Sequence, residues 1–382
     1  MLLASALTCL IIALTIGQEF GLFSDRFATM REYAALLSNI EEYYIGDYDE
    51  QDIAAAANDA AVSALGDRWS YYLTPEEYER YLDSTGNRFT GIGVLAVKDE
   101  LTGGMLIQSV YRGSAAETSG LVAGDLVTEI DGNDITGIDF DEMRERLARE
   151  IGDAAVLTVK RADGTIATLE VIYSIVFADP VTFEMLDGNI GYIALANFET
   201  GSANSFIAAV DDFVSQGAAA LIFDVRGNGG GKVSEMTRIL DHLLPEGEIF
   251  VGVSRFGKEE IITSGASMVD IPCAVLVDRY SFSAAEYFAA TLKEYGYAAV
   301  VGEQTTGKDR SQITIPLPGG SALHISSAKF LTKNRVSLYE TGGLTPDYPV
   351  DMTDEEFSLF VTGNLEKDED PQLACAVGLF RG

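Results

Sequence analysis

The chain has 382 residues, 47% of them hydrophobic, and carries a formal net charge of −33 at pH 7. This length allows two to three domains with sizeable cores, and the apolar content excludes a wholly disordered chain. A surface this acidic repels phosphate backbones, so we expect no nucleic-acid partner and attribute the charge to solubility. The 3 cysteines and 2 histidines lie far apart, which argues against a disulfide framework and a zinc-type cluster. No cofactor or metal is predicted.

The first residues form an apolar segment that begins MLLASALTCLIIALTI and continues through two polar interruptions to residue 23. As a helix, its first sixteen residues would reach about 24 Å, which is less than a hydrocarbon core of ~30 Å. A signal peptide, an uncleaved anchor and a buried core helix all fit this pattern. We favour a signal peptide or membrane anchor at residues 1–23, with the remainder of the chain outside the cytoplasm.

A helical region is predicted over residues 27–85. Apolar residues recur at helical spacing between positions 30 and 45, and the stretch EQDIAAAANDAAVSAL continues as a second helix to Gly66. A third helix opens at Thr74, which is followed by a proline and, three positions on, by Glu77. This combination is typical of a helix N-terminus with a capping box.

Residues 86–175 change to short alternating strands separated by glycine-rich turns. The strand segments are GIGVLAV, GMLIQSVY, DLVTEIDG, AVLTVKRADG and TIATLEVIY, and two helices, SAAETSG and FDEMRERLAREI, interrupt them. The pattern predicts a small β-domain with two helices.

Residues 176–352 alternate apolar strands with helices, in the order NIGYIALANF, SANSFIAAVDDFVSQG, AALIFDV, VSEMTRILDHLL, CAVLVD, AAEYFAATLKEYG and AAVVGE. That order predicts an α/β layered core. The fold class is therefore a multidomain α/β protein: a helical N-terminal region, a β-domain and an α/β core. We expect residues 353–382 to be a peripheral C-terminal tail.

The glycine-rich loop RGNGGGKVS, residues 226–234, follows the strand AALIFDV. It fails the P-loop pattern because Arg226 stands at the first glycine position and Val233 replaces the hydroxyl residue that would bind magnesium. It also fails the dinucleotide pattern G-x-G-x-x-G, because Lys232 occupies the third glycine position. Two interpretations remain: a tight turn, and a loop whose main-chain N–H groups face an anionic centre.

Ser283 opens the sequence S-A-A-E, which fits a helix cap and also a nucleophile. In a capping box the serine and Glu286 would bind the free amides of a helix start, whereas the same helix end favours a developing negative charge. A serine nucleophile needs a base. The histidines, His242 and His324, are each predicted to be structural. A lysine whose pKa is lowered by burial is the alternative, and Lys308 follows an apolar strand and a small-residue turn.

Several ordered motifs together resemble the C-terminal processing, or tail-specific, serine peptidases. These are exported or membrane-anchored Ser-Lys proteases with an embedded PDZ domain. The resemblance covers roughly residues 30–350. It rests on GDRWSYYLTPEEYERY, FTGIGV, GSAAETSGLVAGDLVTEIDG, GYIALANF, LIFDVRGNGGG, VDRYSFSAAEYFAATL, VVGEQTTGKDRSQ and GGLTPDYPV.

The resemblance implies roles for individual residues. The family's nucleophile falls on Ser283, and its general base falls on Lys308, 25 residues later. Gln312 matches the glutamine that orients the lysine in some members. The oxyanion would be bound by the amide of Ala284 and by an amide of the glycine loop, for which we select Gly230.

The same resemblance makes residues 86–175 the PDZ domain. Its stretch Gly91, Ile92, Gly93 and Val94 would bind the carboxylate of a substrate's C-terminus, and the last substrate residues would add as a strand beside VLAV. The helix FDEMRERLAREI would flank that groove. A small β-domain without a ligand is the alternative.

Some positions depart from the family pattern. Phe282 and Ala285 replace small or hydroxylic residues around the nucleophile, Glu294 takes a position that is often aspartate, and Gly229 stands where proline is usual. The prediction is still a serine endopeptidase that acts on proteins with flexible C-terminal tails, with such proteins and a second copy of the chain as partners. A non-catalytic PDZ scaffold and a Ser-His hydrolase are the alternatives.

Overall fold

The structure, a computed structural model, describes residues 25–266 and 268–381. The apolar segment 1–23 lies outside the described residues. None of the described helices combines the length and the apolar character that a bilayer crossing needs. Described residues up to Ala60 form one compact unit, and residues from Ala61 onward form a second, larger unit that contains every site discussed below.

The described residues form helices and strands in the following chain order. The helices are α1 (Asp25–Tyr43), α2 (Glu50–Ser63), α3 (Pro75–Thr85), α4 (Ala115–Thr118), α5 (Phe140–Arg146), α6 (Ser202–Ser215), α7 (Val233–Leu243), α8 (Ala284–Glu294), α9 (Asp354–Val361) and α10 (Pro371–Gly378). The strands are β1 (Tyr71–Leu73), β2 (Arg88–Gly91), β3 (Val94–Lys98), β4 (Met105–Val110), β5 (Leu126–Ile130), β6 (Asn133–Asp134), β7 (Ala154–Lys160), β8 (Ile166–Ile172), β9 (Ser174–Phe177), β10 (Val181–Leu186), β11 (Ile190–Leu195), β12 (Ala220–Asp224), β13 (Gly247–Ser254), β14 (Glu259–Ser264), β15 (Cys273–Val277), β16 (Ala298–Gly302), β17 (Arg310–Pro316), β18 (Ala322–Leu331) and β19 (Tyr348–Pro349).

The N-terminal region contains three helices, the loops between them and one short strand. Helix α3 begins as predicted: the Thr74 amide donates to the Glu77 carboxylate at 2.9 Å, and the Glu77 amide donates to the Thr74 hydroxyl at 3.3 Å. The prediction of an entirely helical region 27–85 is wrong at Tyr71–Leu73, which forms strand β1 and pairs antiparallel with β18. The partner strand lies about 250 residues away, so local periodicity could not have revealed this pairing.

The β-domain is built on one sheet with the order β3-β4-β5-β7-β8, and β6 pairs with β5. Its inward side chains form a separate core around Ile107, Ile135, Met143 and Leu157, all at most 1% exposed. The predicted helix FDEMRERLAREI is shorter than expected, because α5 ends at Arg146 and the chain then turns toward β7. A two-stranded ribbon of β2 and β9 forms the domain's entry and exit.

The α/β core has a six-stranded sheet with the order β10-β11-β12-β15-β16-β19. All neighbours from β11 to β19 run parallel, and β10 is antiparallel to β11. Helices α6, α7 and α8 cover one face through side chains such as Phe206, Ile239 and Phe288, all fully buried. The layered α/β prediction is confirmed for this part of the chain, and the carboxyl ends of β12 and β15 lead into the glycine loop and the Ser283 turn.

The expectation of a peripheral C-terminal tail is wrong for helix α10, although helix α9 has no buried residue. Helix α10 packs on the second face of the parallel sheet, where Leu373 and Ala376 join a core with Ile222 and Leu276. A parallel sheet carries apolar side chains on both faces and needs cover on each. The α10 segment supplies that cover.

A second sheet, absent from the sequence expectation, stands beside the α/β core. Strands β1-β18-β13-β14 form it, and β17 pairs with β18. Phe250 of β13 and Phe330 of β18 are buried, and Tyr287 of α8 donates its hydroxyl to the Phe330 carbonyl at 2.8 Å. This sheet therefore forms the wall that faces the start of α8.

Candidate active site

Ser283 sits in a sharp turn between strand β15 and helix α8. Its backbone is left-handed, with φ 58° and ψ −124°, a conformation that non-glycine residues rarely adopt. The preceding turn holds it there: the Ser281 hydroxyl donates to the Val225 carbonyl at 2.7 Å, and Asp278 accepts the amides of Gly227 and Tyr280. Such strain at a strand-to-helix turn is typical of a serine nucleophile.

A single carboxylate joins the Ser283 turn to the Lys308 loop. Glu286 is fully buried, and its Oε2 accepts the amide of Ser283 and the amide of Lys308, each at 2.9 Å. Its Oε1 accepts the amide of Gly307 at 2.6 Å and the hydroxyl of Thr305 at 2.5 Å. The backbones of the predicted nucleophile and base are therefore held on the same oxygen atom.

The four donors also determine the charge of Glu286. Burial raises the pKa of Glu286, and the hydrogen bonds from Thr305, Lys308, Gly307 and Ser283 oppose that rise. Three donors are backbone N–H groups, which can only donate, and Thr305 already accepts the Leu344 amide at 2.8 Å. A proton on Glu286 would find no acceptor here, so the ionised form is the one that fits.

Lys308 lines the same cavity as Ser283, a space of about 980 Å³. Burial lowers the pKa of Lys308 to about 8, while the charge of Glu286 works in the opposite direction. No hydrogen bond or ion pair to its ammonium occurs within the described part of the chain. The nearest partner is the ring of Trp69, whose centroid lies 4.3 Å from Lys308 Nζ.

The predicted site residues share the cavity but are not all engaged with one another. No hydrogen bond joins Ser283 to Lys308 in the described structure. Gln312 also lines the cavity, but its amide donates to the Arg310 carbonyl and to the Ser326 hydroxyl, each at 3.1 Å, and not to Lys308. The three side chains are thus brought to one cavity without the contacts that a reacting dyad needs.

The glycine loop approaches Ser283 closely, as predicted, but the Gly230 amide is already occupied. It donates to the side-chain oxygen of Asn228 at 2.8 Å. Gly230 has φ +91°, and a side chain there would come within 2.9 Å of the Ala284 nitrogen and of Ser283 Cβ. In this conformation Gly230 therefore serves by its small size rather than as an oxyanion donor. Gly231 and Gly229 line the cavity, and neither amide has an acceptor among the described residues.

The Ala284 amide is available at the helix start. Ala284 is the first residue of α8, so its N–H has no partner inside the helix. It lies beside Gly230 and points away from the helix body, where the helix dipole favours negative charge. An oxyanion formed next to Ser283 would meet this amide.

Two stretches of the chain match known families. Residues 189–350 match the model of peptidase family S41, and residues 106–161 match a PDZ-domain model. The α/β core with Ser283 is thus an S41-type peptidase core, and the preceding β-domain is a PDZ domain.

Relatives and solved structures resemble the chain over most of its length. Carboxy-terminal processing protease CtpB of Bacillus subtilis is 27% identical over 328 residues, covering 84% of this chain and 67% of the relative. The carboxyl-terminal-processing protease of Picosynechococcus is 29% identical over 302 residues, covering 78% and 73%. The photosystem II D1 C-terminal processing protease has a similar fold, with TM-score 0.52, 23% identity and coverage of 92% and 93%. A putative S41 protease from Bacteroides fragilis is also similar in fold, with TM-score 0.55, 19% identity and coverage of 89% and 92%. The chain is thus similar in sequence to C-terminal processing proteases along most of its length.

The two histidines occupy different places in the S41 core. His242 lies in α7, as predicted, and its Nε2 is 2.9 Å from Asp211 Oδ1. His324 lies in β18, stacks on Tyr71 with centroids 4.5 Å apart, and contacts the Thr314 hydroxyl through Nδ1 at 2.8 Å. His324 also lines the Ser283 cavity, which the sequence did not indicate. Burial lowers the pKa of His324 to about 4, so it is neutral near pH 7.

The predicted tail-binding stretch leads into the edge strand β3 of the PDZ sheet, and its residues Ile92 and Gly93 are buried. Gly91 ends β2 and pairs with Ser174, and Val94 begins β3, which is the edge strand of the sheet order. The Ile92 and Gly93 carbonyls accept amides of their own domain, at 2.8 and 2.9 Å. Their N–H groups have no acceptor among the described residues, so both remain available at this edge.

Proposed function

We propose that this chain is a serine endopeptidase in which Ser283 and Lys308 form the catalytic dyad and the PDZ domain binds the substrate's C-terminal tail. One observation carries the dyad: Glu286 Oε2 holds the Ser283 and Lys308 amides, each at 2.9 Å, at the edge of one cavity. A scaffold without catalysis would need neither the strained serine nor a half-buried lysine of lowered pKa.

The chemistry follows from these groups. Neutral Lys308 takes the Ser283 proton as Oγ attacks the peptide carbonyl and forms the tetrahedral intermediate. The Ala284 amide and one amide of the glycine loop bind the oxyanion, each on the order of 3 kcal/mol. The protonated lysine then gives its proton to the leaving amine, and water attacks the acyl-enzyme to release the second product and the free serine.

The described conformation is a resting one under this proposal. Lys308 has to leave the Trp69 ring to reach Ser283, and Gln312 has to exchange its bonds to Arg310 and Ser326 for one to Lys308. Gly230 acts as the loop donor only after its amide leaves Asn228. Catalytic hydrogen bonds of this kind tighten in the substrate complex.

Tail capture is proposed for the exposed edge of the PDZ domain. A tail added beside β3 would pair with a free strand edge, and its terminal carboxylate would meet the free N–H groups of Ile92 and Gly93. Substrates are then proteins with flexible C-termini, acted on outside the cytoplasm. The N-terminal anchor and the homodimer stay predictions of the sequence.

The test compares wild-type chain, Ser283→Ala, Lys308→Met and His324→Gln on an unstructured protein with a free or an amidated C-terminus. We expect cleavage only by wild type and His324→Gln, and slower cleavage of the amidated substrate. Because neutral Lys308 is the base, the rate should rise with pH through about 8. Equal cleavage by wild type and both dyad variants refutes the dyad. A midpoint of about 4 that disappears in His324→Gln indicates the Ser-His alternative instead. Binding of tails without any cleavage indicates a scaffold.

A further inference from the structure

The ammonium of Lys308 is held by aromatic rings rather than by polar partners. Its Nζ lies 4.3 Å from the Trp69 ring centroid and 5.7 Å from the Phe282 ring centroid. The two rings are 5.9 Å apart and contact each other. A cation attracts the negative face of an aromatic ring, and the attraction ends when the cation loses its charge. We call Trp69 and Phe282 the aromatic clamp.

The Phe282 side of the clamp depends on the glycine loop. A Cβ added at Gly229 would lie 2.9 Å from Phe282 Cζ, closer than such atoms approach. The two departures from the family pattern are therefore coupled by packing: the phenylalanine ring at 282 fits only because residue 229 is glycine. The missing side chain at 229 provides the space that the ring occupies.

The Trp69 side of the clamp is fixed to the core. Asp67 accepts the Trp69 amide at 3.3 Å and the Ser70 hydroxyl at 2.6 Å, and Ser70 in turn accepts the Ser326 amide at 3.0 Å. The guanidinium of Arg68 also lies over the Trp69 ring, at 4.2 Å. The ring is thus set in place by the loop before β1 and by β18.

We propose that the aromatic clamp positions Lys308: the rings hold the charged lysine in a resting place away from Ser283 and release it when it becomes neutral. Trp69 and Phe282 are positioning residues in this scheme, since they act through the lysine. Loss of the Lys308 proton would then have two effects. It would create the neutral base, and it would end the attraction to the rings so that the lysine can move. The inference rests on the proposed role of Lys308 as the base.

Other charges act on Lys308 as well, and the test has to leave them unchanged. Glu286 and Asp67 favour its charged form, whereas Arg68 and burial favour its neutral form. His324 also interacts with it and is neutral over the range tested. Leucine at either ring position stays apolar and removes the ring face without adding or removing a charge.

The first experiment measures kcat/KM against pH for wild type, Trp69→Leu, Phe282→Leu and the conservative variant Trp69→Phe. Loss of a ring face removes a stabilisation of the charged lysine, so the midpoint in Trp69→Leu should fall by roughly 0.5 to 1 pH unit. Near pH 7 the rate, expressed as a fraction of each protein's own high-pH plateau, should then be roughly three- to fivefold higher in the variant than in wild type. Phe282→Leu should shift less, because its ring is farther away, and Trp69→Phe should restore most of the wild-type midpoint. A midpoint that stays in place in Trp69→Leu, with the rate lowered equally at every pH, overturns the proposal and leaves the rings a packing role only.

The second experiment reads the lysine without catalysis. Lysine-labelled Ser283→Ala protein is titrated by NMR, with Lys308→Met identifying the signal and thermal unfolding confirming that each variant is folded. The Lys308 midpoint should fall when Trp69→Leu is added to Ser283→Ala. An unchanged Lys308 midpoint contradicts the clamp even if the dyad is correct. If Lys308→Met keeps full activity, the proposed function fails, and the titration still decides whether the rings hold the ammonium.

Discussion

Glu286→Gln tests whether one buried carboxylate holds the site together. The carboxylate accepts four hydrogen bonds, two on each oxygen, and three come from backbone N–H groups. A glutamine amide has one oxygen and one NH2 group, so it can serve only one of the two pairs. Two hydrogen bonds to a charged group are lost, each about 1.5–3 kcal/mol, and N–H donors are left facing the NH2 group. The expected loss of unfolding free energy is about 3–6 kcal/mol.

The activity should fall as well. The Ser283 and Lys308 amides both bind Oε2, and separating them by about 1 Å costs on the order of 100-fold in rate. Denaturant unfolding followed by circular dichroism gives the stability, and cleavage of an unstructured protein gives kcat/KM. The matched control is Glu356→Gln, since Glu356 occupies the same capping-box position at the start of α9 but is exposed to solvent. Glutamine also serves in a capping box, so the control should change little.

One result would refute this reasoning. If Glu286→Gln unfolds within about 0.5 kcal/mol of wild type and of Glu356→Gln, the shared acceptor contributes little to the fold. If the variant is as stable as wild type but much less active, Glu286 only positions the site. The expected loss of unfolding free energy would then be wrong.

Two further variants test the glycine loop and the cover supplied by the C-terminal helix. Gly230→Ala should lower kcat/KM on the order of 100-fold, because its Cβ would press on Ala284 N at 2.9 Å. Gly227→Ala, at φ +66° with nothing within 4 Å, is the control that carries the backbone strain alone, and equal losses in the two would contradict the contact. Arg226→Met should lower the unfolding free energy by about 3–5 kcal/mol, because it leaves buried Asp224 and Asp370 without their partner. The exposed pair of Arg88 gives the comparison: Arg88→Met should cost less than about 1 kcal/mol, and a similar loss in both would show that burial of the pair is not the cause.

The sequence by itself predicted the elements whose signals are local. The capping box at Thr74 and the alternation of strands and helices after residue 189 depend on residues a few positions apart, and both appear in the structure. Ser283 and Lys308 were selected from a motif and a fixed offset, and the structure places both at one cavity. Their catalytic roles stay a proposal.

Other features depended on contacts that no local pattern encodes. The short strand at 71–73 is decided by its pairing with β18, and α10 is buried because the second face of the parallel sheet needs cover. Sequence reasoning treated Glu286 as a helix cap, but its other three donors, from Lys308, Gly307 and Thr305, come from a loop about twenty residues later. The occupied amide of Gly230 depends in the same way on where the Asn228 side chain turns.

The sequence therefore singled out the residues that are proposed to carry the chemistry, because motifs and their spacing along the chain are sufficient to select them. The tertiary structure decided the state in which these residues are held. Any two of Trp69, Phe282 and Lys308 are more than 20 residues apart along the chain, yet their side chains form one cluster. In this cluster the lysine contacts the two rings and not the serine. Only the packing of separate loops creates that environment, in which burial lowers the pKa of Lys308 and two rings lie near its ammonium.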